Sequence, residues 1–468
     1  MKKSINKFYL SFLAASLVLG GCKKSFLEQT PADSLTPQQA LSDASGLQNA
    51  LNGAYSALRS VSLYGRDIPV TGDLMADNSY VETKNSGRYL SQYQYNVAVN
   101  DGVPYDIWTA AYTGILRVNQ IIDANVTGNN VDAIKAEAYA IRGLLYFDLV
   151  KVFAKSYTVD PNALGVPLVL HYDPYKLPTR NKVSEVYAQI ISDLKAGFQS
   201  AGAYQNSARL SKYAIEGLLA KAYLYMGDKT NAKTAAVDVI NNSGFTLVAA
   251  ASYKSYWANP AYRTDKVETM FEVDADVINN NQFDDLGGIY EHGYADIYAS
   301  SNLYGLYSAT DARKTVLIQG NAKNGNAAII VDKYPNANNA DRDNIKVLRL
   351  AEVYLIAAEA SLGTSESDAR MYLNDLMAQR DPSFAGYTST GTDLLNDIVT
   401  ERRKELAFEG DRLFDLNRLN WDIVRTSNLG ALPAPTTIPA GDPKRIAPIP
   451  QTEIQSNPNI ASQQNPGY

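Results

Sequence analysis

The chain has 468 residues, with 43 basic and 49 acidic side chains, a formal net charge of −6, one cysteine and two histidines. That length supports a large core or two to three subdomains, and the acidic balance argues against nucleic acid or anionic lipid as an electrostatic partner. A single cysteine excludes a disulfide framework, and His171 and His292 have no second ligand type beside them at metal spacing.

The first element is a leader. Met1, Lys2, Lys3 and Lys7 precede an apolar run from Phe8 to Leu19, followed by Gly20, Gly21 and Cys22. A charged start, a short apolar stretch and small residues at a cleavage point predict a secretory signal over 1–21, and the run is too short to span a bilayer. Cys22 then sits where a lipid would be attached, so the mature chain is expected to be an exported lipoprotein. Removing the leader removes three lysines and leaves 40 basic against 49 acidic residues, a charge of −9. No later segment approaches 18 consecutive apolar residues, so lipid alone is expected to hold the protein to its membrane. Residues 22–38, polar and interrupted by Pro31 and Pro37, read as a tether.

Helical periodicity follows. Pro104 is expected to open a helix whose Trp108, Ala111, Tyr112, Ile115, Val118 and Ile122 share one face. Asp132 leads a second over IKAEAYAIRGLLYFDLVKVFA, and Asn181 or Ser184 is expected to cap a third. Residues 211–244 predict two helices joined at Gly227-Asp228, with Leu219, Ala220, Tyr223, Gly227, Ala232 and Ala236 at the offsets of a tetratricopeptide repeat. Small alanines let such paired helices approach closely. A weaker echo spans 349–376, punctuated by Gly363.

Between these pairs, residues 245–345 lose the period. ETMFEV and AAIIVDKY predict short strands among Asn, Gly and Asp loops. Residues 245–310 carry 12 aromatic residues, well above the chain average of 10%, which marks this irregular insertion as a place to look for a binding surface. A last helix is predicted over LLNDIVTERRKELAFEGDRLFDLNRL, charged on one face and apolar on the other, before a Pro-rich tail from Leu432. The predicted fold class is mainly α: tetratricopeptide-like helix pairs as a scaffold, with a loop-rich variable region holding a few short strands.

No G-x-S-x-G, H-E-x-x-H, phosphate-binding glycine loop or EF-hand loop occurs. Carboxylate pairs such as Asp73 with Asp77, or Asp284 with Asp285, are expected by chance among 49 acidic residues. Neither catalysis nor a cofactor is expected. The opposite charges of ERRKELAFEGDR suit ion pairs along or between helices. Tyr290, Tyr294 and Tyr298 recur at four-residue steps; as a helical stripe they favour packing. Polar neighbours nevertheless keep Tyr290 and Tyr294, with Trp257, as candidate platform rings for stacking on a sugar. Residues 65–95 offer a second cluster, Asp73, Asn78, Tyr80, Arg88 and Tyr89, mixing planar hydrogen-bonding groups with aromatic rings.

Several ordered motifs carry a resemblance: CKKSFLEQTP (22–31), AEAYAIRGLLYFDLVKVFA (136–154), LLAKAYLYMGD (218–228), RLAEVYLIAAEA (349–360), ERRKELAFEGDRLFDL (401–416), PIPQTEIQSNP (448–458) and QNPGY (464–468). In these the chain resembles the SusD/RagB family of Bacteroidetes outer-membrane lipoproteins. The resemblance implies a cell-surface protein without catalysis, anchored in the outer membrane by its lipid. It implies capture of an oligosaccharide, or in some branches a peptide, for delivery to a SusC-like TonB-dependent barrel. It divides the mature chain, after the tether, into an N-terminal helical region (39–265) and a C-terminal region (266–468). A purely structural repeat scaffold is the alternative, and an exposed aromatic patch would distinguish ligand capture from it.

Overall fold

The computed structural model describes residues 37–427 and 430–468; the leader, Cys22 and nearly all of the tether lie outside them. Helices dominate. The longer ones are α1 (Ala44–Leu58), α2 (Asp67–Leu74), α3 (Gly102–Asp123), α4 (Val131–Phe153), α5 (Val183–Ser200), α6 (Lys212–Met226), α7 (Lys229–Asn242), α8 (Leu350–Ser361), α9 (Glu366–Ala378), α10 (Gly391–Glu405) and α11 (Arg412–Arg418).

Most predicted helices lie where the period places them, with local chemistry moving their ends. Asp101, rather than Pro104, opens α3, because its carboxylate accepts the Val103 N–H at 3.0 Å. Neither Asn181 nor Ser184 caps α5. Glu185, three residues into the motif, reaches back to accept the Lys182 N–H at 3.0 Å, and Asn181 donates to the same carboxylate. The α6–α7 turn is as predicted: Gly227 adopts φ +75°, its N–H donates to the Leu224 carbonyl, and Asp228 accepts from Asn231 to start α7.

From α3 to α7 each helix packs on the next, and α1 packs against α3 and α4. Residues 243–349 then leave the array, yet α8 returns to pack directly on α7, and α9 on α8. The weaker repeat echo is therefore the structural continuation of the stronger pair. The intervening residues and the N-terminal loops build the small sheets. β1 (Ser79–Val81), β3 (Ile297–Ala299), β5 (Ala327–Val331) and β4 (Leu317–Asn321) form one antiparallel sheet in that order; β2 (Thr269–Val273) pairs with β6 (Ile345–Arg349), and β7 (Ile423–Val424) with β8 (Thr437–Ile438). Both predicted strands are present, as β2 and β5. The C-terminal tail closes over the helices: Ala447 N–H donates to the Val152 carbonyl, and the Asn465 amide bridges the carbonyls of Phe153 and Ala447.

The predicted last helix is two. α10 ends at Glu405 and α11 begins at Arg412, with Phe408 at φ +68° and Gly410 at φ +92° between them. The break lets Gly72 on α2 approach the chain: a Cβ at Gly72 would lie 2.0 Å from the Gly410 carbonyl oxygen. The charged face of this segment is turned inward: Glu401, Arg402 and Glu405 are almost wholly buried. Burial is tolerated because every one of them is paired across elements. Glu405 accepts from Arg349 (2.8 Å), Arg380 (2.9 Å) and Arg313 (3.2 Å), Arg402 contacts Glu352 and Asp415, and Arg403 donates to Asn78. The scaffold role expected for this motif holds, through ties between α10 and β6, α8, α11 and the N-terminal loops.

A second group of buried carboxyls points the other way. Burial lifts Asp73 to about 7 and Glu216 to about 8, the latter also through Asp238 against Lys212. Burial and Asp332 lift Glu291 to about 7. A carboxyl whose folded pKa is raised contributes stability that is present below its unfolded pKa, near 4, and is lost as pH rises through the folded value. Asp77 and Asp415, held at about 2 by arginines against the opposing effect of burial, lose their contribution only below about pH 4. The melting temperature should therefore peak near pH 5 and fall toward pH 8. Glu216→Gln, which mimics the protonated side chain, should lessen that fall, as a thermal melt series from pH 5 to 8 would show; a profile rising toward pH 8 would contradict the assignment.

Candidate functional site

Three segments meet on one face: the loop 82–89 after β1, the stretch 283–296 before β3, and the β4–β5 turn at 323–324. Asp296 is fully buried and locks the three together, accepting from Ser86 (N–H and hydroxyl) and from Lys323 Nζ at 3.0 Å. The Asn324 amide adds a bond to Glu82 at 2.6 Å. Below the surface, Tyr89 hydrogen-bonds Asp67 and accepts from Arg66 Nε, while Arg66 Nη1 reaches Asp284 Oδ1 at 2.6 Å.

On this frame the Arg88 guanidinium lies 3.5 Å from the centre of the Tyr294 ring, a cation–π contact, with Asp284 3.9 Å from its Nη2. Phe283 is 45% exposed nearby in sequence, and Thr83, Lys84 and Ser86 are open to solvent. The arrangement presents an aromatic ring, a planar guanidinium, a half-exposed carboxylate and loop hydroxyl and ammonium groups. That combination can stack against an apolar ring face while bonding hydroxyls around it.

Only part of the predicted constellation is on this surface. Arg88 and Tyr294 are, and the structure brings them into contact. Tyr89 lies beneath them, its ring buried and its hydroxyl committed. Asp73 and Asn78 are fully buried: Asn78 Nδ2 donates to Asp73 at 2.6 Å, Asp73 accepts the Gly410 N–H at 2.7 Å, and Asn78 accepts from Arg403. They tie α2 to the α10–α11 break and are not available as surface ligand contacts. Tyr80 is buried on β1, 6.0 Å from the Tyr298 ring.

Trp257 and Tyr290, the two leading platform rings, are core. Trp257 is 1% exposed, edge-on to Tyr256 and Tyr334, with the ammoniums of Lys333 and Lys346 at 4.2 and 4.7 Å from its ring. Tyr290 is fully buried between Tyr334 and Phe408. The four-residue tyrosine stripe does not exist as such, because the helix there is one turn, Leu286–Tyr290; Tyr294 lies in the following turn and Tyr298 on β3. Sequence reasoning weighed Asp284 only as half of a carboxylate pair and missed Phe283, Lys323 and Asn324. Exposed Phe283 beside an Asp pair was the only local signal.

Comparison with known proteins completes the picture. Residues 25–224 match a family model described as starch-binding associating with outer membrane, and residues 315–468 match that of the SusD family. The chain belongs to the SusD/RagB family. SusD-like protein P2 of Formosa agariphila is 27% identical, over 99% of this chain and all of that one. A SusD superfamily protein of Bacteroides thetaiotaomicron superposes with a TM-score of 0.83 at 29% identity, covering 90% of this chain and 99% of that one. A candidate sugar binding protein of Bacteroides vulgatus also gives 0.83 at 29% identity, covering 91% and 99%. With these relatives the chain shares a helical scaffold with tetratricopeptide-like pairs, and their descriptions connect such proteins with sugar binding and the outer membrane.

Proposed function

We propose that this chain is a lipid-anchored protein of the outer membrane, facing outward, that captures an oligosaccharide without turnover and delivers it to a SusC-like TonB-dependent barrel. The observation that carries this reading is the Arg88–Tyr294 pair, an aromatic platform and planar donor held at the surface by the buried Asp296 clamp. We read the mature chain as a lipidated tether (22–38), an N-terminal helical region (39–265) and a C-terminal region (266–468). Among the described residues no helix is long and apolar enough to cross a membrane; in this reading a lipid on Cys22 attaches the protein.

Tyr294→Ala and Arg88→Ala should each weaken binding of a recognised glycan about fivefold to tenfold, since stacking is worth about 0.5–1.5 kcal/mol. Titration calorimetry against a panel of plant and algal oligosaccharides measures it. Binding of peptides with no glycan bound, or hydrolysis of any panel member, would overturn the reading.

Cys22→Ala should leave a folded protein that no longer sediments with outer membrane in cells lacking the partner barrel. Retention in that fraction would refute lipid anchoring.

A further inference from the structure

A groove of about 590 Å³ opens among α1, α4 and residues 202–211, sharing no residue with the Arg88–Tyr294 surface. Its size is that of a small-molecule site. Arg209 stands in its wall with its charge already matched: Nε and Nη2 donate to the two Glu137 oxygens at 2.8 and 3.0 Å, and Nη1 to Asn52 Oδ1 at 2.9 Å. Its guanidinium also lies 4.6 Å from the Tyr55 ring, and Tyr55 bonds Glu137, so the cation is held in place.

The remaining polar lining is uncharged: Gln48, Asn130, Gln205, Asn206 and Ser211. The Asn130 and Gln205 side chains are exposed and make no hydrogen bond within the described residues. Tyr262, 45% exposed, adds an aromatic face. Beyond Asn52 and Arg209 the groove runs on into a space of about 310 Å³ lined by Glu272, Asp274 and Asp276 against Arg59. Lys346 approaches Glu272 at 3.7 Å, and Arg59 donates to the Asp274 carbonyl, which leaves this end net negative.

A wall of amides and a hydroxyl, one neutralised ion pair and one open ring have no free cation to hold an anion, and in the acidic continuation Arg59, bonded to a main-chain carbonyl and Ser56, is outnumbered by Glu272, Asp274 and Asp276. They match the hydroxyls and apolar ring faces of an uncharged sugar chain. Resting on the oligosaccharide reading above, we infer that this groove is a second glycan subsite, selective for neutral over uronate-bearing or sulfated chains.

The test titrates the mature protein with maltohexaose, cellohexaose, mannohexaose and hexagalacturonate. It compares wild type, Tyr262→Ala, the double variant Asn130→Gly/Gln205→Ala, with glycine chosen because Asn130 has φ +66°, and Tyr294→Ala, with thermal melts of each. Hydrogen exchange of residues 202–211 locates the bound chain. At least one neutral hexasaccharide should lose about fivefold in affinity in both groove variants, at unchanged melting temperature, and should protect 202–211 in wild type and in Tyr294→Ala. Hexagalacturonate should give no such protection. Neutral binding that depends on Tyr294 but is untouched by both groove variants overturns the subsite and leaves the capture function standing. Equal protection by hexagalacturonate overturns the selectivity. A wild type that binds none of the four overturns the glycan reading and the subsite with it.

Discussion

Glu405→Ala should be among the most destabilising single changes in the chain, lowering stability by about 3–5 kcal/mol or preventing accumulation of folded protein. Burial alone would raise the pKa of this carboxyl. The guanidiniums of Arg380, Arg349 and Arg313 reverse that and hold it well below the usual carboxylate range. Removing it leaves three cations that are almost wholly buried and share only Glu268, Asp311, Glu401 and Glu409 among them. The cost arises from leaving three buried cations under-compensated, Arg380 with only the shared Glu268, rather than from deleting one favourable contact. Chemical denaturation of Glu405→Ala beside Glu405→Gln measures it: the glutamine keeps one of the two acceptor oxygens and fills the space but loses the charge, and should fall between alanine and wild type. An alanine variant that unfolds at the wild-type denaturant midpoint would show that the ion network is dispensable.

Trp257→Ala should cost about 3–5 kcal/mol, the range for truncating a buried large aromatic. It would open a void beside Tyr253, Tyr256 and Tyr334 and remove the ring against which Lys333, Lys346 and Arg349 are placed. Tyr294→Ala, at a half-buried surface ring, should change stability far less while weakening ligand binding. Thermal melts of the two variants side by side separate core ring from surface ring before any ligand is identified. A Trp257→Ala protein that melts with wild type would return that residue to the candidate surface.

Much of the helical scaffold was readable residue by residue. Apolar spacing in α3, α4 and α5, and the Gly227 turn between α6 and α7, are local properties, set by the 3.6-residue period and by a position needing positive φ. Helix ends were less legible because capping is decided by which side chain reaches an N–H first, as with Asp101 and Glu185. The α10–α11 break was not legible because a lone glycine such as Gly410 is tolerated inside a helical period; the close approach to Gly72 that the break permits lies more than 300 residues earlier in the chain.

The candidate surface divides in the same way. Composition located an aromatic-rich insertion and a mixed N-terminal cluster, and Arg88 and Tyr294 came from those two places. It could not say which rings face water. A tyrosine or tryptophan among polar neighbours in sequence is surrounded in space by whatever other segments bring to it. Trp257 and Tyr290 are covered by Tyr334 and Phe408, residues from distant parts of the chain. By itself the sequence determined the leader pattern ending at Cys22, the helix pairs and the family, because each is written in contiguous residues. Only the tertiary structure decided that the ERRKEL charges are buried, that Trp257 and Tyr290 are core, and that Arg88 lies over Tyr294. Burial and pairing are properties of segments far apart in the chain, and no local period encodes them.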